Sequence, residues 1–160
     1  MPDPDDGRHE TLTQRADRNW DELLQELRVT QTGTQILTGF LLTIPFQQRF
    51  SELDHYQRTL YLVLVVLAVL ATALIVSPVA LHRALFRRRL KPELVSVGSH
   101  FARAGLLMLA LVTAGAAMLL FDVVLSRSAG LLAGGVSLVV LVASWWVLPH
   151  LIARNAATHR

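Results

Sequence analysis

Charged residues are missing from four stretches of this chain, each about as long as a membrane is thick. Residues 29–48 hold 20 uncharged positions, 59–81 hold 23, 104–121 hold 18 and 128–152 hold 25. A hydrocarbon core of roughly 30 Å takes about 20 apolar residues of helix to cross. Lipid offers the backbone no hydrogen bonds, so a spanning segment must satisfy its own by coiling into a helix or closing a barrel. The total of 52% hydrophobic residues is only slightly above that of soluble domains. It is the distribution that points to a membrane. The pattern predicts an all-α polytopic membrane protein of four transmembrane helices in a bundle, with spans at about 29–48, 58–81, 100–125 and 129–152.

The first window differs from the others. It is preceded by Asn19-Trp20-Asp21-Glu22, which has the spacing of an N-cap with a glutamate at N3. A helix from there to Pro45 is longer than the hydrocarbon by about two turns, so it is expected to extend into the cytoplasm. Residues 1–13 carry Pro2, Pro4, Gly7 and several acids and lack an apolar run. They are expected to form a disordered acidic tail. Residues 14–154 then make the transmembrane domain, and 155–160 a short cytoplasmic tail.

Basic residues sort by side. Arg8, Arg15, Arg18, Arg28, Arg83, Arg87, Arg88, Arg89, Lys91, Arg103, Arg154 and Arg160 fall on one side of a four-span chain; Arg49, Arg58 and Arg127 fall on the other. Short loops rich in Arg and Lys stay cytoplasmic. Both termini are therefore expected inside a multi-pass plasma-membrane protein. Trp20, Trp145 and Trp146 lie near the inner interface on this scheme, and Tyr56 and Tyr61 near the outer one, depths that suit amphipathic rings. HRALFRRRL, closed by Pro92, predicts a short basic cytoplasmic helix between spans two and three. Its Arg83, Arg87, Arg88, Arg89 and Lys91 are placed to meet anionic lipid headgroups.

At 100° per residue, Asp21, Gln25, Arg28, Thr32, Gln35 and Gly39 share one face of the first helix, with Gln31 and Thr38 beside them. An unpaired polar group in hydrocarbon costs several kcal/mol. The stripe is therefore expected to face the inside of the assembly. Two roles fit it: a polar path or binding groove, or interhelical hydrogen bonds that set helix register at about 1 kcal/mol each. Small residues predict close packing elsewhere. Gly130 and Gly134 form a GxxxG pair extended by Ser137 and Ser144, and Ala110 and Ala114 make a similar pair on the third span.

The titratable candidates are few. Asp122 lies about a turn from the outer end of the third span, where an acid is either functional or held in an interfacial salt bridge with Arg127, Arg49 or Arg58. Glu22 and Glu26, four apart on the first helix, are a second possible titrating pair near the inner surface. His82, His100 and His150 sit at one depth, but without ligand spacing. The chain has no cysteine, which rules out disulfides, thiolate metal sites and cysteine nucleophiles. It also lacks GxSxG, HExxH and phosphate-binding glycine motifs. No enzymatic role, cofactor or metal is expected, and membrane orientation explains the basic residues without nucleic acid.

The segments NWDELLQELRVTQTGTQILTGFLLTIPF, FSELDHYQRTLYLV and SPVALHRALFRRRLK resemble an actinobacterial family of small four-span membrane proteins catalogued as a domain of unknown function. The likeness covers about residues 18–154. It implies the four-span topology; some members carry an automatic sodium:proton antiporter label. Two functions are open at this point. One is a non-enzymatic scaffold, accessory or regulatory subunit, working as a homo-oligomer or with another membrane protein. The other is a small oligomeric proton or cation transporter, for which Asp122 is the candidate ion-exchanging group.

Overall fold

The computed structural model describes residues 12–85 and 91–158, and these are helical almost throughout. Helix α1 spans Leu12–Thr43, α2 His55–Leu85, α3 Lys91–Val124, α4 Arg127–Val142 and α5 Leu148–Thr158. Two 3-10 turns, Ile44–Phe46 and Gln48–Glu52, join α1 to α2. One π turn, Ala143–Val147, carries α4 into α5 without a break in the rod. Pro149 lacks the amide that an ordinary helix needs there. The Leu148 amide donates to the Ala143 carbonyl, five residues back.

Among the described residues, three segments are long and apolar enough to cross a membrane: His55–Leu81, Val97–Val124 and Arg127–Ile152. Helix α1 is not among them, because its threonines and glutamines dilute its apolar residues. It also starts about two turns before Asn19, so the capping box does not open it. Residues 12 and 13, expected in the tail, are already helical, and so are residues 155–158. Arg83 lies in the last turns of α2 and Lys91 opens α3. The rest of the expected basic helix, with Arg87, Arg88 and Arg89, lies outside the described residues.

Helix α3 sits between the others and touches α1, α2 and α4. Leu41, Tyr61, Leu64, Ala68, Val112 and Leu119 form the buried core where α1, α2 and α3 meet. Within it the Tyr61 hydroxyl donates to the Leu41 carbonyl at 3.1 Å. In a continuous helix that carbonyl would accept from residue 45, which is Pro45 and has no N–H. The tyrosine thus ties α2 to the end of α1.

Helix α4 packs on α3 through glycine. A Cβ built at Gly130 would lie 2.7 Å from the Met118 carbonyl and 2.8 Å from Asp122 Cβ. At Gly134 it would lie 2.8 Å from Met118 Cβ. The GLLAG pair therefore serves contact within the chain, against Ala114, Met118 and Asp122 of α3; Ala110 and Ala114 are both buried. Ser137 is half-buried beside it, and Ser144 is exposed.

Candidate functional site

Helix α1 carries two polar faces, and the structure separates them. The inward face follows Leu27, Thr34 and Leu41, seven residues apart and all buried, with Thr34 only 2% exposed. Thr30, Gln31 and Thr38 flank this row and are half-buried. The threonines hide their own polarity. Thr30 donates to the Glu26 carbonyl at 3.0 Å, Thr34 to Thr30 at 2.8 Å and Thr38 to Thr34 at 2.7 Å. A hydroxyl bonded to its own helix packs as a small, nearly apolar surface.

The outward face holds Asp21, Gln25, Arg28, Thr32 and Gln35, and every one of them is exposed. This corrects the expectation that the stripe turns into the bundle: the row Leu27-Thr34-Leu41 takes that position instead. Thr32 bonds back to the Arg28 carbonyl at 3.0 Å. Among the described residues, the side chains of Gln25, Arg28 and Gln35 have no hydrogen-bond or ion-pair partner. Gly39 opens the face further, since a Cβ there meets nothing within 4 Å. Their depth follows from α2. Leu41 meets Tyr61, and Thr38 lines an open hollow together with Val69, Thr72, Ala73 and Val76 of α2. The helices run antiparallel, so Gln35 lies about a turn further along α2, inside the His55–Leu81 segment.

The second polar centre is at the opposite end of the molecule, where α2, α3 and α4 converge. Asp122 projects from the last turn of α3 with its side chain 3% exposed. Gln57 Nε2 donates to its Oδ1 at 2.8 Å. Arg127 Nε stands 3.0 Å from Oδ2, near enough for an ion pair. It is not aligned as a hydrogen bond, so this buried oxygen is held by charge alone. Arg127 also donates to Asp54 Oδ2 at 2.6 Å and lies 3.7 Å above the centre of the Tyr56 ring. Among the three arginines that the sequence offered, Arg127 is the one that reaches Asp122.

Asp54 and Gln57 were not singled out by sequence reasoning, although their spacing held the signal. The Gln57 amide donates to Asp54 Oδ1 at 2.8 Å and the Asp54 amide to Gln57 Oε1 at 3.0 Å. This reciprocal cap opens α2. The Gln57 amide first, and Arg127 after it, hold the Asp54 carboxyl below the usual carboxylate range. Ser126 caps α4 by accepting from the Ala129 amide at 3.3 Å. The cluster is thus a three-helix latch in which both carboxylates are engaged, Asp122 buried and Asp54 half exposed.

The remaining candidates stand apart. Glu22 pairs with Arg18 at 3.1 Å on the surface of α1, and Glu26 is exposed. His150 Nδ1 lies 2.7 Å from the Trp146 carbonyl and His100 is exposed; the side chains of His82, Arg83 and Lys91 lie outside the described residues. Among the described residues no group of His, Asp and Glu is arranged to hold a metal.

No curated protein and no solved structure matches the chain. A family model does match, over residues 9–149, which reach from just ahead of α1 to the proline at the start of α5. The chain therefore belongs to the family of unknown function DUF6328.

Proposed function

We propose that this protein is a four-span plasma-membrane protein, with both termini cytoplasmic, that acts as a scaffold, accessory or regulatory subunit by helix–helix association. The contact surface is the outward face of α1. The observation that carries the reading is the exposure of Gln35, unpaired, at a depth where the neighbouring helix is apolar. Left in lipid, its amide costs several kcal/mol. A protein partner, either a second copy or another membrane protein, removes that cost. Helix α1 is then the fourth span, made compatible with the membrane by what binds it. Its inner end, with the basic segment Arg83 to Lys91, faces anionic headgroups.

The absence of cysteine makes the test clean. Single cysteines at Gln35 and at Leu132, which is exposed on α4, are treated with a bifunctional maleimide in native membranes. Gln35→Cys should give a discrete crosslinked band and Leu132→Cys should not. Equal, weak labelling at both sites would refute the reading. A small oligomeric proton or cation transporter, antiporter-like, is the competing function. It needs a carboxylate that exchanges ions within the membrane, and Asp122 is engaged by Arg127 and Gln57.

A further inference from the structure

Beside the end of α1 the chain leaves a cleft of about 200 Å³. Leu41 and Ile44 form one wall and Phe50 the floor; Leu119, Leu120 and Val123 of α3 form the other wall. Neither α2 nor α4 contributes to the lining, so the cleft lies on the flank of the molecule between α1 and α3. Leu120 on its lip is 60% exposed, and Phe46 on the adjoining turn is 87% exposed. Large apolar groups exposed beside the end of a spanning segment suit contact with acyl chains. At the rim stand Gln47 and Arg49.

Arg49 sets this cleft apart from an ordinary surface gap. Three arginines serve this end of the molecule. Arg127 is taken by Asp122 and Asp54. Arg58 donates to the carbonyls of Ser51 and Leu53, both at 3.3 Å, and lies over the Phe50 ring. Arg49 is exposed and, among the described residues, pairs with no acceptor. Arg49 lines the hydrocarbon cleft with the apolar stem of an exposed side chain whose guanidinium is left unpaired, and such a group is complementary to an amphiphile with an anionic head. Arg binds phosphate oxygens in a fork, with more directional fit than a lysine could give. The volume sets the scale of the ligand. It is below the roughly 300–1,000 Å³ of pockets that swallow whole small molecules, so it takes part of one acyl chain and leaves the rest in the bilayer.

We propose that the cleft between the end of α1 and α3 is a binding site for an anionic phospholipid, with one acyl chain against Leu41, Ile44, Leu119 and Val123 and its phosphate on Arg49. The site rests on the membrane-spanning reading but not on the association of α1, whose outward face is a different surface. Bound lipid would brace the connection Ile44–Phe46 against α3, where Pro45 has interrupted the α1 ladder.

The test uses the full chain in phosphatidylcholine vesicles containing a trace of phosphatidylglycerol with a diazirine on its acyl tail. Photolabel should map to peptides containing residues 41–50 or 116–123, and unlabelled phosphatidylglycerol should compete better than phosphatidylcholine. Arg49→Gln should lower labelling about fivefold, the loss of a single charge-assisted contact to phosphate, and Arg49→Lys should restore part of it. Ala116→Phe fills the cleft and should abolish labelling whatever the headgroup; Leu120→Phe serves the same end if Ala116→Phe does not fold. Equal competition by the two lipids, undiminished labelling of Arg49→Gln, or label confined to α2 and α4 would overturn the proposal. A protein–protein crosslink through the cleft would also overturn it and assign the cleft to a partner chain. The cysteine crosslink at Gln35 reads the other surface, so either proposal can fail alone.

Discussion

Replacing Arg127 with Gln should unlatch the end of the bundle where α2, α3 and α4 meet. The Asp122 carboxylate is nearly sealed, while Arg127 is 41% exposed. Breaking a fully buried ion pair from one side costs about 3–5 kcal/mol, because a charge is left without compensation, whereas an exposed pair is worth about 0–1 kcal/mol. A pair sealed on the acid side and half open on the base side falls between, at about 2–3 kcal/mol. Gln57 remains as a donor to Oδ1 and limits the loss, but Oδ2 has no other partner. Asp122→Asn should cost less, about 1 kcal/mol, since the amide keeps the contact with Gln57 and Arg127 keeps Asp54. The double variant should then be more stable than Arg127→Gln alone. The assay is reversible unfolding in mixed detergent micelles, followed by circular dichroism as the denaturing fraction is raised. The single and double variants form a thermodynamic cycle, whose coupling should reach about 2 kcal/mol. A loss below 1 kcal/mol for Arg127→Gln, or additive single effects, would refute the latch.

Two further outcomes follow from the same end of the molecule. Gly130→Ala places a methyl group against the Met118 carbonyl and the Asp122 backbone, atoms that cannot swing aside, and should destabilise by about 1–3 kcal/mol; Gly135→Ala, inside α4 with open space at its Cβ, should instead stabilise by about 0.4–1 kcal/mol. Asp54 has a folded-state pKa below its unfolded one, so its contribution is present above the ordinary carboxylate pKa and is lost as pH falls through the lower, folded value; stability of the wild type should drop over that acid range, and Asp54→Asn should show a shallower drop in the same titration.

How much of this was legible from the sequence differs from helix to helix. Helices α2, α3 and α4 announce themselves because residues such as Leu64, Ile75 and Val112 sit in long uncharged runs, and hydrophobic length is a one-dimensional property. The α3–α4 contact was legible for a related reason: Gly130 and Gly134 recur at one helical turn, and only a close neighbour makes that spacing useful. The start of α1 was not legible. The Asn19 box has the right letters, yet the helix runs on through it, because a cap motif states a preference that a longer helical run can override. The box that is used, Asp54 with Gln57, has the same form and was passed over beside the stronger apolar signal that follows it. The partner of Asp122 lay within the sequence's reach as well, five residues away across the α3–α4 turn, but which of three arginines reaches it is set by how the helices pack.

The polar stripe was misplaced for a more general reason. A helical wheel shows which residues share a face, not which way the face points. Two polar arcs compete on α1, and hydropathy ranks the glutamine arc as the one most in need of burial. The structure chooses the threonine arc, since a threonine can return its hydroxyl to the carbonyl one turn back and then pack closely. Glutamine and arginine carry several donors at the end of a flexible chain and cannot all be satisfied that way. Their demand is therefore passed outward. On the far side of the molecule, α4 presents Leu131, Leu132, Val136, Val139 and Val140, all exposed and all apolar. The exposed surface of α1 is mixed instead, with Val29, Ile36 and Phe40 beside Gln25, Arg28 and Gln35. Those polar groups are why α1 falls short of a spanning helix by composition although it packs against α2 and α3, which do not.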